Sequence, residues 1–361
     1  MPSISPADAL DRISRDVDRI KIRARNGLRH LSGTPMGPIG STPRQAVWTR
    51  DNVTLYRYSG GGARGPLLLV HSLVTQPYVF DLRPGSSLVE DLVAAGHEVF
   101  LLDWGIPGPV EAGNTLETYT LEYIPLAVAA IVEVTGAKRV DLLGYCLGAV
   151  LSLLAVAAQP DLPVRRLVAL ATPIDFGELG PLAKLLRQHH LEPADMFDET
   201  GNVPASLILT GFRMSQPTGD IATYANLWQS LANDEHAAAH QAFVGWSSAH
   251  IPFPGAAFEQ MVDLMVRQDL LRTGWFPLGG RQVQLASIPC PVLSVIGERD
   301  NLVPPAATAP FAEALGREPE TLRVPAGHAG LFVGRQAKKH GIPAILQWLG
   351  APDRAGSEKD E

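Results

Sequence analysis

Cys146, Asp300 and His328 have the residue types that nucleophilic acyl transfer needs. A cysteine sulfur attacks a carbonyl carbon once its proton is removed, and histidine is the base that removes it near neutral pH. A carboxylate behind the histidine fixes the ring tautomer and stabilises the imidazolium. The sequence around Cys146 supplies a mount for this chemistry. In VDLLGYCLGAV, residues 140–150, an apolar run meets Gly144-Tyr145-Cys146-Leu147-Gly148, and small apolar residues follow. This order predicts a buried strand, a sharp turn and a helix. A β-carbon at position 144 or 148 would collide with the crossing strand and helix, which explains the two glycines. The free N–H groups and dipole of the helix's first turn favour a thiolate. Taken alone, the segment reads equally as a buried cysteine in a glycine-containing turn, because Cys is among the most buried residue types.

The choice of sulfur narrows the chemistry. A thiol attacking a thioester exchanges one thioester for another of similar energy, so the acyl group stays activated for a further transfer. A serine would trap it as a lower-energy oxygen ester. Cys146 therefore points toward acyl-thioester substrates such as coenzyme A esters. No metal site is expected. His189-His190 and the pair His236/His240 lack companion ligands, and without a His-Glu-x-x-His pattern the latter pair marks a solvated helix face. Gly60-Gly61-Gly62 lacks the Gly-Lys-Ser/Thr that would make it a phosphate loop.

The elements around these residues alternate. Strands are expected at 53–58, 66–70, 97–103, 140–143 and 166–171, with helices at 87–95 and 115–136, the second kinked at Pro125. This rhythm argues for a mostly parallel sheet with helices on both faces. It breaks between residues 175 and 286, where no apolar strand run stands out and the segment reads as helical. Its aromatics include Phe176, Phe212, Trp228, Trp246, Phe253, Phe258 and Phe276. The sheet resumes at 291–296 and ends with a strand at 321–324; a final helix covers 336–349. Cys146, Asp300 and His328 each follow a strand, in the order nucleophile, acid, histidine. Asp103 and Asp175 also end strands and are the rival acids.

The termini differ from this body. Residues 5–30 begin with Ser5-Pro6, a helix-start signal, and carry Leu10, Ile13, Val17, Ile20 and Ala24 at helical spacing among basic residues. An amphipathic helix lying on the domain, its charges in water, is preferred over a docking helix for a partner. Residues 31–45 are rich in Gly, Pro, Ser and Thr, as a linker is, and 351–361 form a charged tail.

Composition excludes several classes. The 361 residues are 46% hydrophobic and 19% charged, which fits a globular chain, and the net charge of −7 argues against a general nucleic-acid binder. Two cysteines, Cys146 and Cys290, give no disulfide framework and fit a reducing, cytoplasmic setting. No run approaches the ~18 apolar residues of a membrane span, and no secretory signal is read at the N-terminus.

The Gly-x-Cys-x-Gly turn and the residue order resemble the nucleophile elbow and triad of the α/β-hydrolase fold, with cysteine for serine. That resemblance implies a core of residues 36–175 and 286–350, a cap insertion of 176–285, an N-terminal arm and linker of 1–35, and a flexible tail of 351–361. It also selects Asp300, whose loop faces the histidine loop in that fold. The backbone N–H groups of Leu147 and of the Leu73–Val74 region, with Val74 preferred, are then expected to hold the developing oxyanion. Each such donor contributes about 2.7–4 kcal/mol.

Longer stretches resemble a more specific family. These are TPRQAVWTRDNVTLYRY, PLLLVHSLVTQPYVFDLRPGSSLVEDL, VFLLDWGIP, GYCLGA, TPIDF, ERDNLVPP and GHAGLFVG. They are similar to poly(3-hydroxyalkanoate) synthases, above all to the short catalytic subunit of two-component (class III) enzymes. Three positions depart from the family pattern: Ala149 where a second Gly is usual, Gly108 after Pro107 where Asp is usual, and Ala249 three residues after Trp246 where Asp is common. The resemblance implies an acyltransferase. It implies Cys146, Asp300 and His328 as catalytic groups, (R)-3-hydroxyacyl-CoA as substrate and no cofactor. A second synthase subunit, a homodimer or hetero-oligomer, and residence at a polymer granule surface follow from the same likeness. Two alternatives are weighed against it. One is a cysteine-nucleophile thioesterase or esterase, which the chain length and the QPYVFDL run oppose. The other is a non-catalytic granule-associated scaffold, which the triad order opposes.

Overall fold

A computed structural model describes residues 37–215 and 230–352, together with 17–18, 20–29, 32 and 35. Its centre is an eight-stranded sheet. The strands are β1 (Arg44–Arg50), β2 (Val53–Tyr58), β3 (Pro66–Val70), β4 (Glu98–Asp103), β5 (Val140–Tyr145), β6 (Val164–Leu170), β7 (Val292–Gly297) and β8 (Glu320–Val324). Their spatial order is β1-β2-β4-β3-β5-β6-β7-β8. The six strands from β4 to β8 in that order run parallel, while β2 is antiparallel to both its neighbours.

The parallel strands read as unbroken apolar runs because both of their faces are covered. Along β3, Leu68 and Val70 face one core layer, and Leu67 and Leu69 face the other. The first layer packs under helices α2 (Ile124–Thr135) and α3 (Leu147–Ala158), and the second under α1 (Leu88–Ala94) and the C-terminal helix. Every residue of α3 is buried. A Leu placed there stabilises by about 1.5–3 kcal/mol relative to an exposed one.

Several local outcomes sharpen the sequence reading. Ser87 caps α1, its hydroxyl accepting from the Glu90 amide, and Gly96 ends the turn at φ 93°. Pro125 stands where a π-turn at Thr118–Tyr123 passes into α2, and the wider turn accommodates a residue without an N–H. The linker expected over 31–45 gives way at Arg44 to strand β1. It is an edge strand exposed or half-exposed along its length, so it carries no burial pattern to detect.

Among the described residues, 176–285 contribute no strand to the main sheet. Helices α4 (Pro181–Arg187), α5 (Ala205–Ser215) and α6 (Asp234–Ser248) lie here. The expectation of an all-helical segment fails at two places. Asn202–Val203 pairs with Phe253–Pro254, and Trp275–Leu278 forms a hairpin with Arg281–Gln284. The hairpin turns on Gly279-Gly280, both at positive φ, a type that suits a two-residue loop. Trp228 lies outside the described residues. Helix α7 (Ile342–Leu349) closes the chain, and Arg165 and Arg166 donate to its C-terminal carbonyls at Trp348 and Leu349.

The arm departs from expectation in its packing. Residues 20–29 are helical, but Val17, Ile20 and Leu28 are exposed, so the described part of its apolar stripe does not lie on the domain. The buried contact is polar: the Asn26 amide donates to the Leu231 carbonyl and to Asp234, which also pairs with Arg25. Ser5, Pro6, Leu10, Ile13 and the tail from 353 lie outside the described residues.

Candidate active site

Strand β5 ends at Tyr145 and α3 starts at Leu147, leaving Cys146 alone in the turn at φ 55°, ψ −124°. A non-glycine residue rarely takes positive φ, and such strain persists only where its surroundings enforce it. Here they do. The Cys146 amide donates to the Leu170 carbonyl of β6 at 2.8 Å. A β-carbon on residue 144 would lie 2.4 Å from the Ala149 Cα, and one on residue 148 would lie 2.4 Å from the Val70 carbonyl oxygen. Both glycines are therefore required, one by the helix and the other by the strand. Ala149, in place of the usual glycine, fits fully buried.

His328 reaches the elbow from the loop after β8. Its Nδ1 donates to Asp300 Oδ2 at 2.7 Å, and its side chain borders the same cavities as Cys146. Asp300 is buried, and its other oxygen accepts the Leu302 and Val303 amides at 2.9 Å each. That loop aims the carboxylate without the help of another side chain. Burial by itself would lower the His328 pKa, but the Asp300 carboxylate, its hydrogen bond and Cys146 outweigh this and raise it to about 10. The Asp300 carboxylate thus favours the imidazolium that forms when the ring accepts a proton.

The rival acids stand elsewhere. Asp103 accepts the Gly105 amide, and Asp175 caps its own turn by accepting from Gly177. The loop after β3 is pinned from below, where Trp104 Nε1 donates to the His71 carbonyl at 3.0 Å. Burial lowers the His71 pKa to about 4 against the pull of Asp103, so its ring is neutral. Val74 and Leu147 both line a cavity with Cys146, whereas Leu73 is core. Leu147 is the first residue of α3, so its N–H has no intrahelical acceptor.

Three groups at the site were not singled out from sequence. Tyr145 sits beside the nucleophile with its ring 4.8 Å from the His328 ring, backed edge-on by Phe332 at 4.7 Å. Its position inside the Gly-x-Cys-x-Gly turn was the available signal. His250 and Phe212 come from the segment 176–285, stacked at 4.8 Å and 7°. Nothing in their local sequence marks them. His240, read as part of a solvated face, lines the larger cavity instead.

Two cavities meet at Cys146 and His328. The larger, about 510 Å³, is lined in part by Arg213, Arg299, His240, His250 and Asn301. The smaller, about 190 Å³, is walled by Phe176, Leu182, Leu186, Met196, Ile208 and Phe258. Ser72, Val74, Phe212 and Leu302 border both. Among the described residues no group of three or more His, Cys, Asp or Glu is placed to hold a metal ion, and no helix is long and apolar enough to cross a membrane.

Comparison with known proteins accounts for this architecture. The family model for the alpha/beta hydrolase fold matches residues 65–335. A hydrolase of known structure from Pseudomonas aeruginosa superposes with a TM-score of 0.52 at 20% identity, covering 86% of this chain and all of that one, which speaks to the fold alone. The poly(3-hydroxyalkanoate) polymerase subunit PhaC of Allochromatium vinosum is 32% identical over 94% of this chain and 97% of its own length. That of Thiocystis violacea is 30% identical over the same shares. The PhaC subunit of Haloferax mediterranei is 29% identical, and its match takes in 89% of this chain and 66% of that longer protein. Since two of these relatives align with it almost from end to end at 30% identity or above, the chain belongs to the PhaC family of poly(3-hydroxyalkanoate) polymerase subunits, acyltransferases on the α/β-hydrolase fold.

Proposed function

We propose that this chain polymerises (R)-3-hydroxyacyl-CoA thioesters into polyhydroxyalkanoate through a covalent acyl-enzyme on Cys146. The observation that carries the reading is the meeting of two unlike cavities at a cysteine held at positive φ beside a histidine–aspartate pair. His328 takes the thiol proton, and the sulfur attacks the thioester carbonyl carbon. The oxyanion is held by the Val74 and Leu147 amides. Collapse breaks the bond to the coenzyme A sulfur, and coenzyme A leaves with the proton from His328. His328 then takes the proton of the 3-hydroxyl of a second acyl unit, whose oxygen attacks the Cys146 thioester. The new ester bond forms and the thiol is regenerated. Asp300 orients His328 throughout.

The cavities suit the two halves of the substrate. Arg213 and Arg299 in the lining of the larger cavity match a polyanionic coenzyme A, and the apolar cavity matches an acyl chain and excludes competing water. In this reading residues 176–285 are a cap on a core of 36–175 and 286–350, with 1–35 an arm and 351–361 a tail. No cofactor takes part. A second synthase subunit, assembly as a homodimer or hetero-oligomer, and work at a granule surface in the cytoplasm belong to the same proposal.

The test is incubation with (R)-3-hydroxybutyryl-CoA, with and without candidate partner subunits, following coenzyme A release and collecting insoluble polymer. Polymer with stoichiometric coenzyme A supports the reading. Release with only free hydroxy acid identifies a thioesterase instead, and full turnover by Cys146→Ala sinks the covalent mechanism.

A further inference from the structure

The loop after β3 is held on its cap side by three donors. The Val74 carbonyl accepts from His250 Nδ1 at 3.1 Å and from the Ile251 amide at 3.2 Å. Thr75 pairs with His250 in an isolated antiparallel bridge, and the Gln76 carbonyl accepts from Trp246 Nε1 at 3.1 Å. A carbonyl oxygen only accepts, so Nδ1 of His250 carries the proton. The His250 ring is half-buried and lies flat on Phe212 of α5, which borders both cavities.

This arrangement has a mechanical consequence. The Val74 N–H belongs to one peptide plane and its carbonyl to the next, and the two swing about one Cα. Two donors on the carbonyl fix that second plane, which narrows the range through which the N–H can swing. On the core side Trp104 holds the loop three residues earlier, at the His71 carbonyl. We propose that His250 is a positioning residue whose hydrogen bond to the Val74 carbonyl aims the Val74 amide at the oxyanion, so that the segment over the site completes the catalytic geometry. This rests on the reading of Val74 as an oxyanion donor in acyl transfer.

The test separates oxyanion geometry from the integrity of the site. His250→Phe keeps an aromatic ring to stack on Phe212 and removes the donor, whereas His250→Asn places an amide N–H near the former Nδ1. Two rates are measured on each variant: turnover of (R)-3-hydroxybutyryl-CoA, and alkylation of Cys146 by iodoacetamide, which forms no oxyanion. His250→Phe is expected to lose on the order of 10–100-fold in kcat, with KM changed less than about threefold, since outright removal of an oxyanion donor costs about 10²–10³ and misaiming one costs less. Its alkylation rate stays within about twofold, and His250→Asn recovers most of the lost kcat. The proposal is overturned if His250→Phe keeps more than half of the parental kcat, if alkylation falls in step with kcat, or if the Asn variant is as slow as the Phe variant. A parent chain that alkylates but releases no coenzyme A breaks the polymerase reading instead. The same comparison is then run on p-nitrophenyl butyrate, whose acyl transfer to Cys146 passes through the same oxyanion.

Discussion

The sheet side and the capping segment of this molecule position chemistry in different ways. At the elbow, Cys146 is fixed by backbone against backbone: Gly144 against Ala149, Gly148 against Val70, and the Cys146 amide on Leu170. Asp300 is likewise held by two amides of its own loop. Over the site, side chains share the control: Trp246 and His250 hold a loop beside the Ile251 amide, and Phe212 stacks on His250. Backbone packing leaves one arrangement; side-chain contacts can be traded. The reacting atoms are therefore the invariant part of the design, and the cavity walls are the adjustable part.

The sharpest way to break this contrast is at the acid. Asp300→Asn keeps the shape of its loop but removes the charge that holds the His328 proton, and kcat should fall by about 10²–10⁴, as read in a coenzyme A release assay. A fall under tenfold would mean that Asp300 is structural. Next comes Gly148→Ala, which drives a methyl group into the Val70 and His71 carbonyls. Urea unfolding should show a loss of about 3 kcal/mol or more, because two backbone oxygens cannot step aside as a side chain would.

A third test asks how the sheet side responds to acid. His97 is buried, and neither ring nitrogen has a hydrogen-bond partner among the described residues. Burial, helped by Arg64 and Arg165, lowers its pKa from 6.5 to about 4. The unfolded chain therefore binds the proton more readily. Its contribution to stability is complete above pH 6.5, is lost as pH falls, and levels off below 4; at pH 5 about 2 kcal/mol is gone. Urea midpoints at pH 7 and pH 5 should differ less in His97→Phe than in the parent by that amount. Equal differences in the two proteins would refute it.

The smallest effect is expected on the adjustable side. Ile208→Trp fills part of the apolar cavity some way from the sulfur. Turnover of four-carbon acyl-CoA should change less than about threefold, while longer acyl chains lose about tenfold, since each methylene left unburied forfeits about 0.8 kcal/mol. Equal losses for both would show that the cavity wall is not where chain length is read.

Legibility in the sequence follows the same division. The elbow could be read because each of its requirements is local: two glycines, an apolar strand before them and small residues after. Strands β3, β5 and β7 were legible for a similar reason, as burial on both faces writes an unbroken apolar run. Strand β1 left no such mark, since it is an exposed edge. The hairpin at Trp275–Leu278 and Arg281–Gln284 was overlooked although Gly279-Gly280 announces it, because Pro277 and the polar second strand mask the alternation.

By itself, the sequence determined the nucleophile turn, the order of Cys146, Asp300 and His328, and the alternation that builds a parallel sheet. These depend on residue type and short spacing, where steric and hydrophobic rules act along the chain. The tertiary structure sets Asp300, which the fold resemblance had selected, against His328, and leaves Asp103 and Asp175 in turns of their own. Only it brought Tyr145 against the imidazole, divided the space at the sulfur into two cavities, and hung the Val74 loop from His250, 176 positions away. The reason is physical. Such contacts form between groups remote in sequence, and their worth lies in distance and direction, which no residue carries until the chain has folded.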